Sequence, residues 1–323
     1  MRRFVVVRIA SLVVSLFVAS VLIFAVLRLL PGGPESALLG VGTTAEQLDT
    51  LRDELGMNQS LVAQYGDWIG GFFSNSTTSF VSGTPVNELI VSKLNVTVPL
   101  SLAAFVLSVL VSVPLGVLAG MYRNSVVGVV VSAISQLGLA VPIFWVGVVL
   151  VWVFSLQGGV LPSGGFPRQG WNDFGAAAQS LILPVVTIAI AMSSVMVRYV
   201  RSATLDVLDA DYIRTARSLG YSRWGALARH GLRNGAVPVV AILGIELATS
   251  LLGAVVVENV FALPGLGSEL LSAVTSRDFP VIQDLVLYLT AVVLLMNFII
   301  DLIQRAIDPR LRLVSASSAG GAA

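Results

Sequence analysis

The sequence predicts an all-α, polytopic membrane protein of six transmembrane helices with N- and C-termini cytoplasmic, and three observations carry that prediction. The 323-residue chain is 56% hydrophobic and only 11% charged, with a mean hydropathy of +0.90, whereas a soluble domain carries about 25% charged residues. Six segments hold the roughly 20 mostly apolar residues that a bilayer crossing needs. Arginines and lysines collect in alternate loops, the pattern that orients membrane helices. A larger core cannot absorb so much apolar sequence, because a folded protein must still cover its surface with polar groups.

The six segments are Ile9–Leu27, Pro99–Met121, Val126–Phe154, Leu181–Val200, Val237–Val257 and Leu285–Ile303. The first has a basic start but runs beyond a signal peptide's apolar core and lacks a small-residue cleavage site, so it reads as an uncleaved anchor. The third is long enough to tilt or to end in a short interfacial piece. Arg2, Arg3 and Arg8 precede the first segment, Arg123 follows the second, seven arginines lie from Arg198 to Arg233, and Arg305, Arg310 and Arg312 close the chain. Residues 31–98 instead carry seven acidic side chains against Arg52 and Lys93. Both termini and the loop after the fourth segment are therefore expected in the cytoplasm.

The expected organisation is an N-terminal transmembrane helix over 1–30 and an extracytoplasmic helical segment over 31–98. A core domain over 99–310 follows, with a cytoplasmic loop at 206–234, and then a disordered tail at 311–323. Within 31–98, Thr44 and Gln47 make a capping box for a helix carrying Leu48, Leu51 and Leu55, which Gly56 can stop. A second helix starts from Ser60, its Leu61, Tyr65, Trp68, Ile69, Phe72 and Phe73 forming an aromatic stripe. Such helices are expected to lie on the membrane surface with Trp and Tyr at headgroup depth; a platform for an extracytoplasmic partner is one use of that surface.

The loop Asp206–Asn234 is the most informative stretch. Asp209 or Asp211 can cap a helix bearing Tyr212, Ile213, Ala216 and Leu219 on one stripe, and Gly220 can end it in a left-handed cap. Ser222 can start a second helix with Leu227 on its apolar side and Arg229, His230 and Arg233 near its C-terminal end, where cations are favoured. The result is a compact knob whose small Ala216 and Gly220 admit another surface. The positive-inside rule alone explains the basic residues, but does not require this helix-glycine-helix pattern.

Among polar residues in the spans, Glu246 and Gln136 are the candidates for a translocation path, with Asp284, Asn297 and Asp301 nearer the ends of the sixth. For Glu246, the plain alternative is a hydrogen-bonding role against a partner chain or a water-filled gap. A net charge of +1 offers no broad basic face for nucleic acid. Without cysteine and with one histidine the chain can assemble no thiolate or multi-histidine metal site. It also lacks the phosphate-binding G-x-x-x-x-G-K-[ST] pattern. A secondary carrier would show inverted repeats and midplane ion-coupling groups. An intramembrane hydrolase would need a metal pair or a serine with a histidine base inside the membrane. A purely structural scaffold predicts no docking knob.

Ala216-x-x-x-Gly220 matches the Ala and Gly of the EAA loop of ATP-binding cassette (ABC) importer permeases. Its surroundings, Asp211-Tyr-Ile-Arg-Thr-Ala-Arg-Ser-Leu-Gly220, Arg229-His-Gly-Leu-Arg-Asn234 and Pro238, resemble the oligopeptide/dipeptide/nickel branch. Leu30-Pro-Gly-Gly-Pro34, Ser82-Gly-x-Pro-Val86, Pro142-x-Phe144, Glu258-x-Val-Phe261, Pro264-Gly-Leu-Gly267, Asp278-x-Pro-x-x-Gln283 and Asp308-Pro-Arg310 fall in the same order. The long segment after the first helix resembles the B-type member of the permease pair. Arg214 stands where the generic motif has Glu, and Ser74-Asn-Ser-Thr-Thr-Ser79 departs from the branch's usual Gly-Asp-Leu-Gly-Thr-Ser.

The resemblance implies an ABC type I importer permease fold in a bacterial cytoplasmic (inner) membrane. It implies a non-catalytic chain without its own cofactor, ATP and Mg being held by partner ATPases. The implied partners are a second homologous permease, two cytoplasmic ABC ATPase subunits or domains, an extracytoplasmic substrate-binding protein and the lipid bilayer. Asp211, Arg214, Ala216, Arg217, Gly220, Tyr221, Arg229 and His230 are the implied ATPase-coupling residues. Di- and oligopeptides are the implied cargo, with nickel chelates, glutathione-like molecules and some oligosaccharides carried by similar machinery.

Overall fold

The computed structural model describes residues 2–29, 50, 53 and 56–307. The helix expected from Thr44, Leu30-Pro-Gly-Gly-Pro34, Asp308-Pro-Arg310 and the tail lie outside them. Every element with more than an isolated bridge among the described residues is helical. In order these are α1 (Arg2–Leu29), α2 (Leu61–Ser74), α3 (Val86–Met121), α4 (Val126–Ala140) and α5 (Ile143–Leu150), which continues as a π-helix over Val151–Gln157. After a short 3-10 turn (Gly170–Asn172) come α6 (Phe174–Asp209), α7 (Asp211–Ser218) and α8 (Arg223–Ala226), which continues as a π turn over Leu227–Gly231. The last three are α9 (Leu232–Val260), α10 (Leu266–Thr275) and α11 (Phe279–Ile307).

Among the described residues, five helices are long and apolar enough to cross a membrane: α1, α3, α6, α9 and α11. The expected third span is not one helix. Its two limbs, Val126–Ala140 and Ile143–Gln157, meet at a bend of 103°. Pro142 explains the break, since it has no N–H to donate and biases the preceding residue away from helix; Val141 is extended at φ −90°, ψ 125°. Fifteen residues rise only about 22 Å, short of the ~30 Å hydrocarbon core. Six crossings are reached by counting the bent pair as one.

The chain divides into two compact units. The first comprises Met1–Thr97 and Leu263–Leu295. Its α2 begins where the sequence places it, with the Ser60 hydroxyl accepting from Ala63 N–H at 3.3 Å. The aromatic stripe packs on its own chain: Trp68 is buried against Phe24 of α1 and Leu287 of α11, with Tyr65, Ile69 and Phe72 around it. Trp68 Nε1 donates to Asp284 Oδ1 at 2.7 Å, and the Tyr65 and Ser20 hydroxyls share a 2.7 Å hydrogen bond. Leu61 and Phe73, also on the expected stripe, remain exposed. Amphipathic spacing identifies the face of a helix but not what covers it.

Asp278, just before α11, ties down a second distant segment. Its carboxylate accepts from the Ser79 hydroxyl and from the Phe80 and Val81 N–H groups, the last two at 3.1 and 3.4 Å. The Thr97 hydroxyl accepts from Leu266 N–H at 2.9 Å and so caps α10, whose own N-cap, Gly265, has no side chain to do so. Lys93 and Glu269 pair at 2.9 Å. Trp68→Phe is expected to keep the aromatic packing and leave a buried carboxylate without its donor, a loss of about 1.5–3 kcal/mol for a hydrogen bond to a charged group. Thermal unfolding of the purified chain in detergent should show a lowered midpoint, and an unchanged midpoint would deny the bond a stabilising role.

The second unit comprises Val98–Ala262 and Met296–Ala323. Here α6 is the central helix, with 67% of its most apolar window buried. Glycine permits the close approach of its neighbours: a β-carbon on Gly116 of α3 would lie 2.6 Å from the Val200 side chain, and one on Gly138 of α4 would meet Ser194. Neither distance is compatible with a larger residue unless the helices separate.

Candidate functional site

The segment joining α6 to α9 folds as a knob with one buried and one exposed side. Helix α6 ends at Asp209, and Ala210 turns the chain with an extended ψ of 145°. Ala210 is therefore the N-cap of α7 and offers no side-chain acceptor. The expected cap from Asp209 or Asp211 is not made, because the break falls between them. Asp211 occupies the first turn, where a negative charge still complements the helix dipole. Asp209 instead pairs with Arg123 at 3.1 Å, both side chains in solvent.

Helix α7 ends as the sequence predicts. Gly220 has φ +92°, Tyr221 N–H donates to Ala216 O at 3.2 Å, and Gly220 N–H donates to Arg217 O at 3.1 Å. This pair of bonds is the Schellman arrangement, which satisfies carbonyls that the helix end would otherwise leave open. A β-carbon at Gly220 would meet nothing of this chain within 4 Å. Glycine is needed there for backbone conformation, and the space beyond it is open.

Ser222 then caps α8, its hydroxyl accepting from Gly225 N–H at 3.0 Å. The expected C-terminal end after Arg229 and His230 is absent: the π turn Leu227–Gly231 carries the chain directly into α9. No dipole terminus is available to those cations, and Arg233's side chain lies outside the described residues. Gly231 is buried at this junction, and a β-carbon on it would come within 2.6 Å of Val207 and 2.8 Å of Leu227. An isolated glycine inside a helical pattern was the available signal.

Of the predicted stripe, Ile213 and Ala216 are inside, 1% and 5% exposed, packed with Met121, Val207, Ala226 and Leu227. Ala216 is thus small because α7 sits close on its own chain. Tyr212 and Leu219 are exposed. So are Asp211, Arg214, Arg217, Gly220, Tyr221, Arg229 and His230. Arg214 makes only a long, solvent-exposed 3.5 Å contact to Asp211, of little energetic weight. Tyr221 gathers a second group: His230 packs edge-on at 5.5 Å and the Arg229 guanidinium lies 6.0 Å from its ring centre. Beside them Trp224 Nε1 reaches the Tyr122 hydroxyl at 3.5 Å. Leu227 is apolar-facing as the sequence predicts, while Met121 of the seat and the Tyr122 partner of Trp224 escape a sequence reading because they lie about a hundred residues away along the chain.

The two path candidates are placed differently. Glu246 lies in α9 and is 8% exposed, covered by its own chain, whereas Gln136 is exposed on α4. Nothing brings them together into one site.

The family described as the binding-protein-dependent transport system inner membrane component matches residues 112–313, and its N-terminal counterpart matches residues 1–103. A Brucella abortus protein described as a peptide transport system permease is 36% identical over 311 residues, covering 94% of this chain and 97% of its own. The glutathione transport system permease GsiC of Escherichia coli K12 is 35% identical over 313 residues, covering 97% and 99%. A chain in the solved MetNI methionine ABC transporter shares the fold, with a TM-score of 0.55 at 20% identity, covering 69% of this chain and 98% of that one. With the bundle of apolar helices, these matches place the chain in the binding-protein-dependent transport system inner membrane component family, as a multi-pass inner membrane permease of the ABC importer class.

Proposed function

We propose that the chain passes di- and oligopeptides across the bacterial inner membrane and docks, through the knob Asp211–Tyr221, on a cytoplasmic ABC ATPase. The observation that carries this reading is the two-sidedness of α7. Ile213 and Ala216 fix it to its own protein, while Arg214, Arg217, Leu219, Gly220 and Tyr221 stand outward on a backbone locked by the Schellman bonds. A projection that is rigidly seated and open on one face transmits a push. For it to shift a transport cycle, its contact must differ in free energy between the ATPase's two states.

In this reading both termini and the knob are cytoplasmic, consistent with the arginine distribution. A homologous permease completes the path, and a substrate-binding protein delivers cargo from outside. ATP and Mg belong to the ATPases, and this chain itself catalyses nothing. Peptide cargo rests on the names of its relatives, one of which is described as a glutathione permease. Glutathione, itself a short peptide, therefore belongs among the probes.

The test is uptake into proteoliposomes containing both permeases, the ATPases and the binding protein. Labelled di- and oligopeptide and glutathione should accumulate only when ATP and binding protein are both present. Uptake that follows an imposed ion gradient without ATP would replace this reading with a secondary carrier. Uptake of nickel chelate alone would keep the machinery and reassign the cargo.

A further inference from the structure

An open-sided cavity of about 340 Å³ lies within the first unit, separate from the knob. Part of its lining is polar. Asp284 is only 4% exposed, and Asn75, Asn87, Thr77 and Tyr288 line the same space. The rest of the lining is apolar: Phe72, Phe73, Ile90, Val91 and Leu94. Of these, Phe73 is 78% and Val91 61% exposed, so the apolar lining is open to the outside at these two residues.

The lining residues of α3 are ordered along the helix. Asn87 is the second residue of that helix, and Ile90, Val91 and Leu94 follow at three-, four- and seven-residue spacing on one face. From Asn87 to Leu94 the helix rises about 10 Å, changing from polar at its start to apolar two turns in. Asp284 likewise belongs to the first turns of α11, and both helices are among those able to cross a membrane. A cavity lined by a buried carboxylate from the first turns of α11 and by this polar-to-apolar face of α3 offers groups for both the headgroup and the acyl chain of a lipid.

Charge narrows the headgroup. Asp284 forms no ion pair among the described residues. Trp68 Nε1 satisfies its Oδ1 with a neutral donor at 2.7 Å. A buried carboxylate without a cation strongly favours one. An anionic headgroup would be repelled. A choline nitrogen has no N–H to donate, whereas a primary ammonium has three, one or more for the carboxylate and the rest for oxygens among the polar lining residues.

We infer that this cavity is a lipid site selective for a primary-amine headgroup, holding the ammonium of phosphatidylethanolamine at Asp284 with an acyl chain against Ile90, Val91 and Leu94. The site would order the outer end of the first unit by a lipid bridging α2, α3 and α11. It is independent of the cargo and of the knob.

Native mass spectrometry of the full-length chain, released from bilayers of phosphatidylethanolamine, phosphatidylcholine and phosphatidylglycerol in equal parts, tests this directly. Phosphatidylethanolamine should be retained about fivefold over either competitor, a preference of about 1 kcal/mol. Asp284→Asn keeps an oxygen for Trp68 and removes only the charge, and should abolish the preference. Val91→Trp, at an exposed position, should obstruct the apolar lining and reduce retention while leaving Asp284 and its bond to Trp68 in place. Equal retention of the three lipids, preference for phosphatidylglycerol, or a phosphatidylethanolamine preference that survives Asp284→Asn would each overturn the proposal.

Discussion

Gly220→Asp is expected to lower ATP-driven peptide uptake by at least about tenfold, a coupling loss of 1.4 kcal/mol or more, with the transmembrane fold intact. Two effects must be separated. Any L-residue with a β-carbon held in the left-handed region incurs about 1–2 kcal/mol of strain, and Gly220 is at φ +92°. Aspartate adds a charge that would face the docked ATPase, where burying an unpaired carboxylate costs several kcal/mol more. Gly220→Ala carries the strain without the charge. Because nothing of this chain lies within 4 Å of the added carbon, the two variants should unfold at similar temperatures. The alanine variant should keep most of its uptake. Normal uptake by the aspartate variant would remove the knob from the coupling pathway. Equal losses in both variants would move the cause from the contact surface to the backbone.

The features legible in the sequence, in this knob and in α2, are those set by a few adjacent residues. Ser222 and Ser60 cap their helices because a hydroxyl three residues before an N–H has the reach to do so. Gly220 ends α7 because it alone adopts the required φ without strain. Where two local solutions competed, the sequence did not decide. Asp209 and Asp211 were both plausible caps, but the chain turns at Ala210 and uses neither. The break in the third span was also written locally, in Val141-Pro142, yet the apolar run on both sides concealed it. Hydropathy measures how much chain prefers lipid and carries no information on whether its helix is continuous.

Contacts between distant segments were not legible. Asp284 looks like a functional charge when only its span is considered. Its hydrogen bond to Trp68 spans 216 positions and gives it a structural duty as well. Asp278 performs a similar service for Ser79, Phe80 and Val81. Ala216 is the instructive case within the knob. Its smallness was readable, but the surface it accommodates proved to be its own chain at Val207 and Met121. The outward face of α7 is therefore carried by the positions around Ala216 rather than by Ala216 itself.

That inward face gives the second large effect. Ile213 is 1% exposed and sits with Met121, Val207 and Leu227. Ile213→Asp removes about 1.5–3 kcal/mol of apolar burial and would place an unpaired carboxylate in that cluster, a further several kcal/mol unless the helix lifts away. An eight-residue helix has little stability of its own, so lifting is the easier outcome. Uptake should fall as far as in Gly220→Asp, for a different physical reason, and limited trypsin digestion distinguishes the two. Arg214 and Arg217 lie within α7; once the helix is unseated both become cleavable, and the purified chain should be cut there before any other site. Gly220→Asp should keep the wild-type pattern, its helix still held by Ile213 and Ala216. Ile213→Val, which keeps most of the burial, should also resist digestion and transport normally. If Ile213→Asp resists trypsin like the wild type yet fails to transport, the apolar seat does not hold the knob, and the loss arises at the ATPase surface.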